Sequence, residues 1–363
     1  MYYLLALLIF FFKVSFSQII EDSTYLMKNS IKLDSIRKGE NDLRKINIVN
    51  SKYQYFFFGE IHRQTGNAEL QCKNIEWLSN NSNCNDIILE LPFSEEERMN
   101  KYVISGDTNI LNYYYKTIFI DDALAKEKIL NKIREIYLHK NPNIRIRCID
   151  VESSSLKALM CLADILNSKK KQTAPPISIL PSINRVYSLR FKRRRSEKSV
   201  RIFVDFMKNE MINKENDFRE YLGNDYHRFY KIISGMSITN TNYSSYLKRE
   251  DILFSNIVEL IKDSPYNSFY INLGIWHTTL IPDEIYKGRK NLCSMLGDND
   301  IYKNKICSVY PIYKTNDKDE YFTLSQKQIL FKFCKNDAML IRLDGENSPY
   351  KELSEKFQYI VVW

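Results

Sequence analysis

Short apolar runs that end on a charged residue alternate, along the first half of the chain, with stretches whose apolar positions recur at helical spacing. Tyr53–Phe58 is the first such run after the N-terminal segments, and it closes on Gly59-Glu60-Ile61-His62. Its aromatic composition predicts a strand, and the pattern from about Asn67 to Asn80 predicts a helix packed back on it. Asp86–Pro92 reads as a second strand that carries Glu90 near its end and is stopped by Pro92. Ser94-Glu95-Glu96-Glu97 then offers a Ser cap and an acidic first turn for a helix through Met99 and Tyr102 to a break at Gly106-Asp107. A Tyr-rich helix over Ile110–Ile118 follows. A third strand, Ile144–Val151, alternates apolar and basic residues up to Asp150, and a helix from Ser154 to Asn167 completes the third unit. Upstream of all these, Thr24–Arg44 has the pattern of a charged helical lead-in.

The rhythm changes at residues 169–201. Lys169-Lys170-Lys171, Pro175-Pro176 and the basic run Arg190–Arg195 interrupt it, and helices are predicted over Ser199–Met211, Asn216–Ile233 and Tyr243–Lys262. The basic segment reads as a solvated loop and helix face, with binding of a phosphate-rich or anionic-lipid partner as the alternative. A fourth strand, Ser268–His277, repeats the opening order of apolar run, glycine and histidine. Ser308–Tyr313, Ala338–Leu343 and Tyr359–Val362 predict further short strands on the same sheet. Strands separated by helices predict an α/β fold, a mostly parallel central sheet flanked by helices, with a helical insert over about 169–262. The expected organisation is a leader over 1–17 and one domain over 18–363.

Composition refines this picture more than it changes it. Ten glycines and nine prolines in 363 residues describe a well-cored chain, and a net charge of +9 is modest for that length, so nucleic acid is not an expected partner. Residues Tyr2–Phe16 are apolar but too short to span a bilayer comfortably, and Ser15 and Ser17 occupy the −3 and −1 positions of a signal-peptidase site. Export with cleavage after Ser17 is therefore expected, without stable membrane insertion afterwards; no Cys stands near that site to take a lipid. The seven cysteines show no metal-ligand spacing, so zinc has no support. Cys72–Cys84 and Cys293–Cys307 are local disulfide candidates, and buried single thiols are the equal alternative.

Candidate chemistry gathers where strands end, because the carboxyl ends of parallel strands line the crevice of an open α/β sheet. Histidine is scarce, with four in the chain: His62, His139, His227 and His277. A neutral imidazole can serve as a general base near neutral pH, with a carboxylate to orient it or stabilise its protonated form. His62 beside Glu60 has that form. His139 and His227 lie in polar or helical contexts that read as structural.

Taken in order, Gly59-Glu60-Ile-His62, Ile88-Leu-Glu90-Leu-Pro92, Asn100–Gly106, Cys148-Ile-Asp150, Arg249–Asn256 and Gly274-Ile-Trp-His277 resemble the erythromycin-esterase-like superfamily and the related haem-binding ChaN-like proteins of the Tiki group. Intervals of 28 positions (90 − 62 and 277 − 249) are similar to the esterases' own. The resemblance implies a group formed by Glu60, His62, Glu90, Arg249 and His277. In it His62 activates water against an ester carbonyl without a metal or other cofactor, Glu60 and Glu90 are its carboxylate partners, and Arg249 and His277 stabilise the oxyanion. A small-molecule substrate or ligand is the partner it implies. The chain departs from the esterases in placing one residue, not two, between Glu60 and His62. It also has Gln71 and Lys73 where the first helix of the esterases carries an arginine. Two other functions stay open: a ChaN-like protein that holds haem or another ligand without catalysis, and a Tiki-type peptidase in which His62 and carboxylates hold a divalent ion.

Overall fold

A computed structural model describes residues 23–33, 53–62, 64, 66–117, 120–191, 196–236, 243–282, 288–314, 321–335 and 337–363. The expected leader over 1–17 lies outside the described residues. Among those described, no helix is long and apolar enough to cross a membrane.

The strands are β1 (Ser30–Lys32), β2 (Tyr55–Glu60), β3 (Cys84–Pro92), β4 (Arg145–Asp150), β5 (Ser268–Gly274), β6 (Ile306–Ile312), β7 (Met339–Arg342) and β8 (Tyr359–Val362). They form one sheet in the order β1-β7-β8-β6-β2-β5-β3-β4. β2 lies parallel to both β5 and β6, and β6 parallel to β8, while β7 runs antiparallel to β1 and β8. The fold is α/β with a mostly parallel sheet. The central strand β2 is apolar on both faces, as a strand covered on two sides must be: Tyr55, Phe56, Phe57 and Phe58 are all buried.

The sequence places β2 to β8 to within a few residues and errs in three instructive places. Residues 23–29 are helical, but Ser30–Lys32 are a strand paired with Met339–Ile341 where a continuous helix was expected. Burial of Ile31 and Leu33 in tertiary pairing outweighs the local pattern; 34–44 lie outside the described residues. Ser94 is not a helix cap. A short 3₁₀ turn, Phe93–Glu95, precedes the helix, and Ser94 instead donates from its backbone N and Oγ to Glu152 at 2.8 and 2.6 Å. Third, a helix runs over Ile120–His139, a stretch left unassigned by the pattern above. Its Ile129, Leu130, Ile133 and Ile136 are buried at helical spacing.

The helices are α1 (Asn67–Asn81), α2 (Glu96–Ser105), α3 (Thr108–Thr117), α4 (Ile120–His139), α5 (Ser155–Lys170), α6 (Leu180–Phe191), α7 (Glu197–Asn213), α8 (Glu215–Leu222), α9 (Tyr226–Gly235), α10 (Tyr243–Asp263), α11 (Leu292–Gly297) and α12 (Leu324–Cys334). α2 ends at Gly106 with φ of 71°, as its break predicts. Ser154 caps α5 by accepting from the Lys157 backbone N.

The chain divides into two compact units. The first comprises Met1–Ile87, Tyr102–Arg145 and Tyr266–Trp363; the second comprises Ile88–Lys101 and Ile146–Pro265. In the first, α1 and α4 are joined by the ion pair of Glu76 with Lys132, and Lys140 just past α4 also pairs with Glu76; Tyr310, Phe322, Tyr350 and Phe357 form an aromatic core beside β6 to β8. In the second, helices α5 to α9 bury Leu162, Leu166, Phe203, Met207 and Phe229 against one another. All seven cysteines are buried and none is in a disulfide, so neither local disulfide forms. Burial pushes Cys72 up to about 11 and Cys84 to about 12, which keeps both as inert thiols.

Candidate functional site

In the first unit Glu60 is the last residue of β2, and His62 lies two residues beyond it. His62 Nδ1 stands 2.8 Å from Glu60 Oε1; the imidazole is 65% exposed and the carboxylate 16%. Gly59, just before, permits this strand end: a Cβ there would stand 3.1 Å from Thr278 Oγ1 and 3.3 Å from Pro311 Cδ, tighter than ordinary contact. Gly66 then turns the chain into α1 with φ of 86°, and a Cβ there would meet the Trp363 indole at 2.5 Å. Gly66 is therefore seated on the ring of Trp363.

The other oxygen of Glu60 is surrounded by amides. Gln71 Nε2 donates to Oε2 at 2.6 Å and Asn272 Nδ2 at 2.5 Å, with Asn67 Nδ2 at 3.5 Å, the outer limit of a hydrogen bond. Asn67 and Gln71 are one turn apart on α1 and so share a face. Asn272 sits on β5 in register with Phe58, on the sheet face that Glu60 also uses. Tyr270 Oη donates to Asn272 Oδ1 at 3.0 Å and Tyr313 Oη to Asn67 Oδ1 at 2.7 Å. Burial first, and the Glu60 charge second, push both phenols up, so they remain neutral donors.

The motif that follows β5 places His277 in a buried 3₁₀ turn, Ile275–His277, three residues past the Gly274 that pairs with Glu60.

The second unit brings together Glu90, Asp150 and Arg249. Arg249, on α10, donates from Nε to Asp150 Oδ1 at 2.7 Å and from Nη2 to Asp150 Oδ2 at 2.8 Å, and Nη2 also donates to Glu90 Oε1. Glu90 is near the end of β3 and Asp150 closes β4, so one guanidinium ties two strand ends. Burial would lower its pKa, but the hydrogen bonds and charges of Asp150 and Glu90 outweigh that and raise it. Beside Asp150, Glu152 is buried against Ser94, and desolvation, with the Glu95 and Asp150 charges, pushes its carboxyl up to about 8.

Glu60 with His62, and Glu90 with Arg249, are thus the expected residues that the structure brings together. His227 pairs with Glu259 at 2.6 Å on the helices of the second unit, and His139 ends α4. Sequence reading missed the roles of Gln71, Asn67, Asn272, Tyr270 and Tyr313. One signal was present: Asn272 is the lone polar residue inside the apolar run Phe269–Leu273. Among the described residues no group of three or more His, Cys, Asp or Glu is arranged to hold a metal ion.

No family model matches the chain, and no curated protein does either. Solved structures do match. A succinoglycan biosynthesis protein superposes with a TM-score of 0.68 at 12% identity, covering 95% of each chain. A Bacillus cereus protein matches with a TM-score of 0.63 at 12% identity, over 95% of this chain and 96% of its own. An erythromycin esterase in its open conformation matches with a TM-score of 0.59 at 12% identity, over 92% of this chain and 97% of its own. The chain has the erythromycin-esterase fold. Coverage this complete means that both units, and not the sheet alone, have counterparts in that fold. Identity this low carries no residue roles with it.

Proposed function

We propose that this chain is a secreted hydrolase of small-molecule esters or similarly activated carbonyls, with His62 as general base. The observation that carries the reading is the His62 Nδ1 to Glu60 Oε1 contact of 2.8 Å at an exposed strand end. With the proton on Nδ1 directed at Glu60, Nε2 is the basic nitrogen. It takes a proton from water as the water oxygen attacks the carbonyl carbon, and a tetrahedral oxyanion forms. The imidazolium, stabilised by Glu60, then gives that proton to the departing alkoxide, leaving an acid and an alcohol. His277 is the donor proposed for the oxyanion. Arg249 commits Nε and Nη2 to carboxylates, so the part proposed for it is first to hold Glu90 and Asp150. Export fits the cysteines, because buried thiols with raised pKa values survive an oxidising compartment without pairing.

The test is turnover of a panel of generic esters and macrolides by the chain starting at Gln18, with and without EDTA, beside His62→Ala. EDTA-resistant turnover that disappears in His62→Ala is the expected result. Turnover abolished by EDTA and restored by Mn²⁺ would replace this mechanism with a metal-dependent one, and no turnover above the variant's would sink the ester reading.

A further inference from the structure

Glu60 has two oxygens with different duties. Oε1 faces His62, whereas the donors to Oε2 among the described residues are amide nitrogens, two of them at 2.6 Å or less. Gln71 and Asn272 are themselves buried, at 5% and 3% exposure, so these amides have exchanged water for the carboxylate. An amide can present either its oxygen or its nitrogen to a neighbour, and here a second layer decides. Tyr270 Oη occupies Asn272 Oδ1, and Tyr313 Oη occupies Asn67 Oδ1. The flipped amide would turn its oxygen onto the carboxylate and leave an NH₂ against a phenol, so only one arrangement satisfies every group.

We infer that Gln71 and Asn272, oriented in the second case by Tyr270, are positioning residues that fix Glu60 and through it select the Nδ1–H tautomer of His62. In water a neutral histidine prefers its proton on Nε2, which would leave the wrong nitrogen basic. A carboxylate held rigidly at Nδ1 reverses that preference. A carboxylate with a loose second oxygen would rotate away and lose the effect. Because the donors are neutral, they hold Glu60 without cancelling the charge that acts on the imidazole. The consequence for catalysis rests on His62 being the base proposed above; the tautomer itself does not.

The experiment is ¹⁵N NMR of the histidine rings in the full chain without substrate, at about pH 9, well above the ordinary histidine pKa of about 6.5. Four histidines give few signals, and His62→Asn assigns the one that matters. The native chain is expected to show His62 mainly as Nδ1–H. Gln71→Met and Asn272→Leu each remove a donor at similar volume. Each is expected to move the tautomer ratio toward Nε2–H by roughly tenfold, the size of one lost charge-assisted hydrogen bond. Tyr270→Phe should move it less, and unchanged signals from the other three histidines establish that each variant is folded.

Native His62 found mainly as Nε2–H would overturn the inference, as would an unchanged ratio in both donor variants. Should Asn272→Leu fail to fold, Gln71→Met on α1 decides alone. The two readings fail separately. An unchanged ratio beside intact ester turnover overturns the clamp and leaves the hydrolase, while a shifted ratio with no turnover in any form supports the clamp and removes the hydrolase.

Discussion

Carboxylates at the ends of strands in the two units are held in opposite ways. Glu60 in the first unit is gripped by neutral amides and an imidazole. Glu90 and Asp150 in the second unit are gripped by the guanidinium of Arg249. An ionic grip neutralises most of the charge it holds and spends it on tying β3 to β4 through α10. An amide grip satisfies the lone pairs and leaves the negative charge to act on whatever faces the free oxygen, here His62. Carboxylates at strand ends are thus held by an ionic donor in one setting and by neutral amides in the other, and the donor decides how much charge is left to act on a neighbour.

The largest effect expected from this contrast is on Glu60→Gln. The change keeps the shape but offers His62 an amide in place of a charge. Ester turnover should fall by about 10²-fold or more, with the thermal midpoint little moved. The matched change Glu90→Gln should alter stability first; a larger rate loss for Glu90→Gln than for Glu60→Gln at equal folded fraction would break the comparison.

Arg249→Met comes next. It strands two carboxylates that are only 11% and 10% exposed, and the loss of a buried pair's partner costs about 3 kcal/mol. Urea unfolding at neutral pH should show it, and a midpoint within error of the native value would mean the ionic grip contributes nothing.

Glu152 adds a pH signature to the second unit. Its carboxyl has a folded-state pKa of about 8 against an ordinary 4.5. Between those values the native chain binds more protons than the unfolded one. Stability is therefore full below about pH 4.5 and falls as pH rises through 8, by up to a few kcal/mol. Glu152→Gln should flatten that decline, read as the difference in urea midpoint between about pH 5 and about pH 8. An equally steep decline in the variant would assign the pH dependence to other groups.

Gly66→Ala is the smallest change proposed. It places a Cβ into the Trp363 ring at a backbone angle suited to glycine, costing about 1–2 kcal/mol. Turnover should fall more than the stability loss explains, because Gly66 opens α1, which carries the Asn67 and Gln71 donors to Glu60. An effect on stability alone would show that the seat on Trp363 does not position the base.

The sequence by itself determined the strands, the helices that separate them, and the placing of Glu60, Glu90 and Asp150 at strand ends. These follow from local periodicity and from residues such as Gly106 and Ser154 whose backbone preferences are intrinsic. It also brought Glu60 and His62 together, since two residues at a strand end cannot be far apart. It could not show that Ser30–Lys32 would pair with β7, more than 300 positions away, because that preference exists only once the partner strand is in place. Nor could it show that Gln71 and Asn272, separated by 201 positions (272 − 71), converge on one oxygen of Glu60. That convergence needs β5 beside β2 in a fixed register and α1 packed so that one face meets the strand end. Parallel pairing and register are set by the burial of whole faces, a property of the assembled sheet and of no single segment.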